Sequence, residues 1–201
     1  MKNIDRQIQE AIIALKQGGI IIYPSESCYS FGCDAKNQSA VGKIHKIKDD
    51  NNSKKPMTIL VSSLRQLGDF AALNEKAVKI AGALMPGQIN LIVDKKDREK
   101  FNWISSSENG IAFRIPANKI ALELIKKFGS PITTTTVNIH GKPSMYKIGE
   151  IQELFGKEVS AVIDVGDLDE SVRVSTIFDT RTGKILREGP ISEQKIFSAL
   201  L

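Results

Sequence analysis

Ile20-Ile21-Ile22-Tyr23-Pro24-Ser25-Glu26-Ser27-Cys28-Tyr29-Ser30-Phe31-Gly32 joins a short apolar run to a segment dense in hydroxyls. The run 20–23 is mostly β-branched and reads as a buried strand, ended by Pro24, which has no N–H for a ladder. Hydroxyls directly after such a strand are well placed to meet a ligand at the end of a sheet. The same residue types also build turns, so both readings stand at this point.

Working outward, Ile4, Ile8, Ile12 and Leu15 recur at helical spacing over 4–16, and Gly18-Gly19 stops the pattern. On the other side, Val41, Ile44 and Ile47 mark a second helix with Ser39 or Asn37 as its cap. A polar, lysine-rich loop covers 48–55, and 57–61 reads as a strand. Stretches 63–70 and 74–84 look helical, Met85-Pro86-Gly87-Gln88 breaks the chain, and 89–93 is extended. A strand over 111–115 carries Arg114 and is cut off by Pro116. An amphipathic helix over 118–128 ends at Gly129, 131–137 is β-branched, and 151–155 is a short helix. Stretches 159–165, 175–179 and 184–187 read as strands. Strands and helices alternate with no repeat and no low-complexity linker, so one α/β domain over 1–201 is expected.

A chain of 201 residues buries roughly 70% of its unfolded surface and needs no staples. With 41% hydrophobic and 25% charged residues it is not collagenous, wholly disordered or membrane-embedded. The net charge of +5 favours polyanions such as nucleotides or RNA without selecting one. The lysines sit in mixed clusters such as Asp94-Lys95-Lys96-Asp97, the pattern of solvated faces rather than a single-sign block. Cys28 and Cys33, with only His45 and His140 beside them, make a poor structural zinc set and read as reduced, buried thiols. Met1-Lys2-Asn3-Ile4-Asp5 opens no apolar signal core, and no apolar run approaches membrane-spanning length. A cytoplasmic chain with no membrane partner and no metal ligands of its own is expected.

Four places join a strand end to polar groups. The first is the hydroxyl segment after Pro24. The second is the loop from Lys48 to Pro56, whose lysines suit phosphate oxygens but also suit solvent. The third is Arg114, which among apolar strand residues must meet either a ligand anion or a structural carboxylate. The fourth is Thr133-Thr134-Thr135-Thr136-Val137-Asn138-Ile139-His140-Gly141-Lys142-Pro143-Ser144, where alternate hydroxyls project to one face of a strand. The signature loops of P-loop, dinucleotide-binding, serine-hydrolase and zincin proteins are missing from the sequence.

Taken in order, these clusters resemble the motif series of the YrdC-type family. That series runs Tyr-Pro-Thr-Asp/Glu-Thr-x-Tyr-Gly-Leu-Gly, Lys-x-Arg, Lys-Pro-Leu, Pro-Gly-Pro-x-Thr, Arg-x-Pro, Ser-Ala-Asn-x-Ser-Gly, Ser-Thr-x-x-Asp and Leu-Arg-x-Gly. Here it reads as the segment from Tyr23 to Gly32, Lys48-Asp49-Asp50, Lys55-Pro56-Met57, and Pro86-Gly87-Gln88-Ile89-Asn90. It continues as Arg114-Ile115-Pro116, Thr136 to Gly141, Ser175-Thr176-Ile177-Phe178-Asp179 and Leu186-Arg187-Glu188-Gly189. The resemblance implies a twisted mixed parallel and antiparallel sheet with flanking helices around a basic cavity. It also implies an L-threonylcarbamoyladenylate synthase, a nucleotidyltransferase acting on L-threonine, bicarbonate and ATP to give threonylcarbamoyl-AMP and pyrophosphate for tRNA modification.

By position, Ser27, Arg114, Thr134 and Ser175 fall on the threonine side, and Lys48, Lys55, Thr136, Asn138, Ser144 and Arg187 on the ATP side. Lys48 and Arg114 take the charge-stabilising, catalytic places. Magnesium is expected on the ATP phosphates, and double-stranded RNA or tRNA and threonylcarbamoyl-transfer proteins are implied as partners. Asp50 stands where the family carries the arginine of Lys-x-Arg, and an outward Asp50 with Lys54 or Lys55 turned in would preserve the charge. Serines 25, 27 and 30 replace Thr, Thr and Gly, while Thr136 and His140 replace serines. YciO-type relatives also diverge in the lysine loop, so a nucleotide- or RNA-binding relative without the activity is the alternative. The chain ends about a dozen residues after Arg187, so the extra C-terminal domain of longer family members is not expected.

Overall fold

The computed structural model describes residues 3–48, 56–104 and 109–201. Asp50, Lys54 and Lys55 of the altered loop lie outside the described residues.

Helix α1 (Ile4–Lys16) buries Ile8, Ala11, Ile12, Ala14 and Leu15 on one stripe. Asn3 starts it by accepting the Arg6 N–H at 3.1 Å. Gly18, at φ 73°, then makes the left-handed turn into β1 (Ile21–Pro24). In β1 the side chains alternate: Ile22 joins one apolar layer, and Ile21 and Tyr23 the other. Both faces are covered, which is why the sequence there is a continuous apolar run.

The hydroxyl segment divides between the two readings. Ser25 closes a turn, its Oγ donating to the Cys28 carbonyl at 2.7 Å. From Tyr29 the chain is strand, β2 (Tyr29–Gly32), antiparallel to β1 with Ile21 opposite Gly32. Tyr29 and Phe31 enter the core, and that burial stabilises the strand beyond what the intervening serine suggests.

Helix α2 (Gln38–Ile47) takes Asn37 as its cap, the side chain accepting from Ala40 N–H. Strand β3 (Thr58–Leu60) follows. In place of a helix over 63–70 there is a single 3-10 turn, Leu64–Leu67, and a two-residue strand β4 (Ala71–Ala72). Leu67 and Phe70 are both fully buried, and Phe70 accepts a backbone bond from Lys96, so edge pairing wins over helix there. Helix α3 (Glu75–Leu84), capped by Asn74, leads to β5 (Ile89–Lys95), and β6 (Gly110–Arg114) lies antiparallel to it. Helix α4 (Lys119–Phe128) ends at Gly129 with φ 81°, and β7 (Ile132–Thr136) follows.

Helix α5 (Ile148–Phe155) starts earlier than the apolar spacing suggests. Only Ala161–Val162 of the run 159–165 counts as strand β8, although Ser160 and Ile163 also donate to the Ile20 and Ile22 carbonyls. Strands β9 (Thr176–Asp179) and β10 (Lys184–Arg187) precede α6 (Glu193–Ser198), a helix the sequence pattern does not announce.

The strands form one ten-stranded mixed sheet in the order β10-β9-β5-β6-β3-β7-β2-β1-β8, with β4 on β5. Pairs β3–β6, β5–β9 and β1–β8 are parallel. One apolar layer holds residues of α2, α3 and α5, and the other holds α1 packed with α4. Strand ends from distant parts of the sequence therefore open at one place.

Candidate active site

Strand β7 builds one wall. Thr134 and Thr136 are two residues apart and share a face, while Thr133 turns to the opposite side and its Oγ1 accepts the Cys33 N–H at 3.1 Å. Across the ladder, Ser30 stands opposite Thr136 and Thr58 opposite Thr134. These four hydroxyls line a cavity of about 200 Å³, closed by Ser27 and by Ser175 ahead of β9.

Arg114 and Arg187 are the charged groups in the lining, and no carboxylate joins them among the described residues. Arg114 ends β6 and is buried. Its Nη2 lies 3.2 Å from Glu26 Oε2, and its Nη1 donates to Ser175 Oγ. Glu26 is fixed in turn, because its Oε1 accepts the Ala117 and Asn118 N–H groups at 2.7 and 3.3 Å at the start of α4. The question left open for Arg114, ligand or structural partner, thus resolves first to a structural carboxylate. Nε of Arg114 remains buried without a hydrogen-bond partner among the described residues.

Arg187 is exposed as a residue, but its guanidinium turns back so that Nε donates to the Ser175 carbonyl at 3.0 Å. Burial of that group, and secondly the charge of Arg114, hold its pKa below the usual arginine value. Two cations that disfavour each other around Ser175 make a place where an anion is welcome. Gly189 lets this happen: a Cβ there would lie 2.3 Å from Thr176 N and 2.5 Å from the Val174 carbonyl oxygen. Only glycine allows the chain after Arg187 to press on that backbone.

Lys48 is buried and is not among the residues that line the cavity. Its Nζ donates to the Thr136 carbonyl at 2.5 Å, to the Asn138 carbonyl at 3.2 Å and to Asn138 Oδ1. Thr136 Oγ1 donates to the same Oδ1 at 3.0 Å. Asn138 reaches the cavity through Thr136 rather than directly. Ser144 is not among the lining residues, although its hydroxyl is close enough to Cys28 to oppose the rise in that thiol's pKa. Burial raises the Cys28 pKa, so this cavity thiol stays protonated near neutral pH and is no nucleophile.

Of the sequence-derived residues, Ser27, Arg114, Thr134, Ser175, Thr136 and Arg187 meet in one cavity. Lys48 and Asn138 hydrogen-bond to Thr136 in its wall, Ser144 lies near Cys28, and Lys55 lies outside the described residues. Sequence reasoning did not single out Ser30, Thr58, Asn90 or Glu26 as site residues. Thr58 shows only in the pairing register, whereas Asn90 closes the Pro86–Asn90 motif, where the family series carries threonine.

Fold and site together define a mixed α/β protein with a hydroxyl-lined, guanidinium-backed pocket at converging strand ends, suited to a small anion. The family model described as "Telomere recombination" (Sua5, YciO, YrdC) matches residues 13–189. This chain belongs to the Sua5/YciO/YrdC family. A threonylcarbamoyl-AMP synthase of Vibrio vulnificus (strain YJ016) is 26% identical over 90% of this chain and 98% of its own length. The crystal structure of P. abyssi Sua5 complexed with L-threonine superposes with a TM-score of 0.85 at 28% identity, covering 96% of this chain. The chain spans only 57% of that longer Sua5 protein. E. coli YciO shares the fold, with a TM-score of 0.78 at 24% identity over 92% of this chain and 90% of its own.

Proposed function

We propose that this chain is a threonylcarbamoyl-AMP synthase using L-threonine, bicarbonate and ATP. The observation that carries the reading is the convergence of Arg114 and Arg187 on Ser175 inside a hydroxyl-lined cavity. In the reaction, the threonine amine attacks bicarbonate, a C–N bond forms and water leaves, giving a carbamate. A carbamate oxygen then attacks the α-phosphorus, and the bond to the β-phosphate oxygen breaks to release pyrophosphate.

Bicarbonate, ATP, the carbamate, threonylcarbamoyl-AMP and pyrophosphate are all anions, and threonine brings a carboxylate. The role left to the protein is to position charge, with guanidinium groups and hydroxyls fixed beforehand by Glu26, Lys48 and the β7 ladder. Among the described residues no group of three or more His, Cys, Asp or Glu is set to hold a metal ion. Magnesium would enter on the ATP phosphates, where it would neutralise oxygen charge. In this reading the product passes in the cytoplasm to tRNA threonylcarbamoyl-transfer proteins, with tRNA as the final acceptor. Among the described residues, no helix is long and apolar enough to cross a membrane.

The test is pyrophosphate release by the full chain. Release that requires ATP, threonine and bicarbonate together is the expected result. ATP binding with no threonine-dependent pyrophosphate would select the non-catalytic relative instead.

A further inference from the structure

We propose that Asn90 reads the β-hydroxyl of the amino-acid substrate and so sets which amino acid this chain accepts, an inference that rests on the threonine reading above. Asn90 lies on β5, is 5% exposed and lines the cavity. Its Oδ1 is buried with no hydrogen-bond partner among the described residues. A buried acceptor left without a donor is costly, so the group calls for a donor from a bound ligand or an ordered water.

The register shows where it points. Strands β5 and β6 run antiparallel with Leu91 opposite Phe113. One step further along the same ladder sets Asn90 opposite Arg114, so the two side chains share a face about 5 Å apart at their Cβ atoms. Arg114 Nε is likewise buried without a hydrogen-bond partner among the described residues. Both residues line the cavity, and the two atoms without partners, one acceptor and one donor, are buried side by side in its wall.

A β-hydroxy α-amino acid carries the complement within its own few-ångström span. A carboxylate oxygen accepts from Arg114 Nε, and the hydroxyl donates to Asn90 Oδ1. The amine is the poorer match for Asn90. An acceptor clamped on an ammonium stabilises its protonated form, whereas the reaction needs the nitrogen lone pair free for bicarbonate. Ser27, Thr134 and Ser175 can each donate or accept, so they recognise polarity without demanding a hydroxyl. Asn90 Oδ1 can only accept, and it rejects a substrate that leaves it dry.

The test compares L-threonine with L-2-aminobutyrate, which differs by the hydroxyl alone. Native protein is expected to bind threonine at least tenfold more tightly in calorimetry, with the same ratio in the KM for pyrophosphate release. Asn90→Leu should bring the ratio to within about twofold, chiefly by raising the threonine KM. Should that variant not fold, Asn90→Ser gives the same readout with a shorter polar side chain. Equal use of both amino acids by native protein, or an unchanged ratio in the variant, overturns the assignment while leaving the synthase reading intact. A native chain that neither binds threonine nor releases pyrophosphate with it removes the synthase reading, and this inference falls with it.

Discussion

Arg114 works in two directions, and the balance can be measured. A guanidinium at a buried strand end needs a counter-charge, and Glu26 supplies it at 3.2 Å. Removing one member of a buried pair strands the other, at about 3–5 kcal/mol. An arginine serving substrate alone would cost little stability when replaced. Arg114→Ala is therefore expected to lose about 3 kcal/mol in urea unfolding, and Arg114→Ala with Glu26→Gln to regain part of it. The double variant should still show a raised KM for threonine, since the donor at Nε is gone. Equal stability of native and Arg114→Ala proteins would remove Glu26 as the partner. The arginine itself was legible because charge is rare in an apolar strand. Glu26 was not, because nothing local in a sequence pairs residues from separate elements.

Strand β7 shows what an element contributes beyond its residues. The alternation of threonines along β7 already implies two faces, and the structure divides them between the cavity and Cys33. Lys48 stands at the Lys-x-Arg position, and its ammonium donates to the Thr136 carbonyl and to Asn138. Lys48→Met should thus destabilise the fold by about 1–3 kcal/mol, since it leaves carbonyl oxygens without their donor. It should also raise the ATP KM by loosening Thr136. A lysine used only for phosphate would alter ATP binding and leave the denaturation midpoint unchanged. Elements held by long-range contacts were the ones missed: β2 is stabilised by burial of Tyr29 and Phe31, and α6 has a single buried residue, Ile196. The helix expected over 63–70 gave way to a 3-10 turn and sheet pairing for the same reason, since propensity yields to tertiary contact.

On the scale of the molecule, the buried acids set a pH limit. Burial pushes the Cys33 thiol up to about 12 and raises Cys28 and Tyr23 as well. A raised folded pKa means the fold favours the protonated form. That stability is complete below the unfolded thiol range, about 8.5, and is lost as pH climbs toward the folded values. Urea midpoints should hold to about pH 8 and fall above pH 9. The gap between native protein and Cys33→Ala should narrow by pH 11; a constant gap would place the thiol in water.

The same topology gathers the site from Ser27 to Arg187, across most of the chain. Motif order made that gathering readable, while the orphaned atoms of Asn90 and Arg114 needed the ladder. The full chain supplied with ATP, L-threonine and carbon-13 bicarbonate tests the synthase account most directly. Mass spectrometry should find threonylcarbamoyl-AMP carrying one labelled carbon, in step with released pyrophosphate. Unlabelled adenylate, or ADP and phosphate in its place, would contradict it.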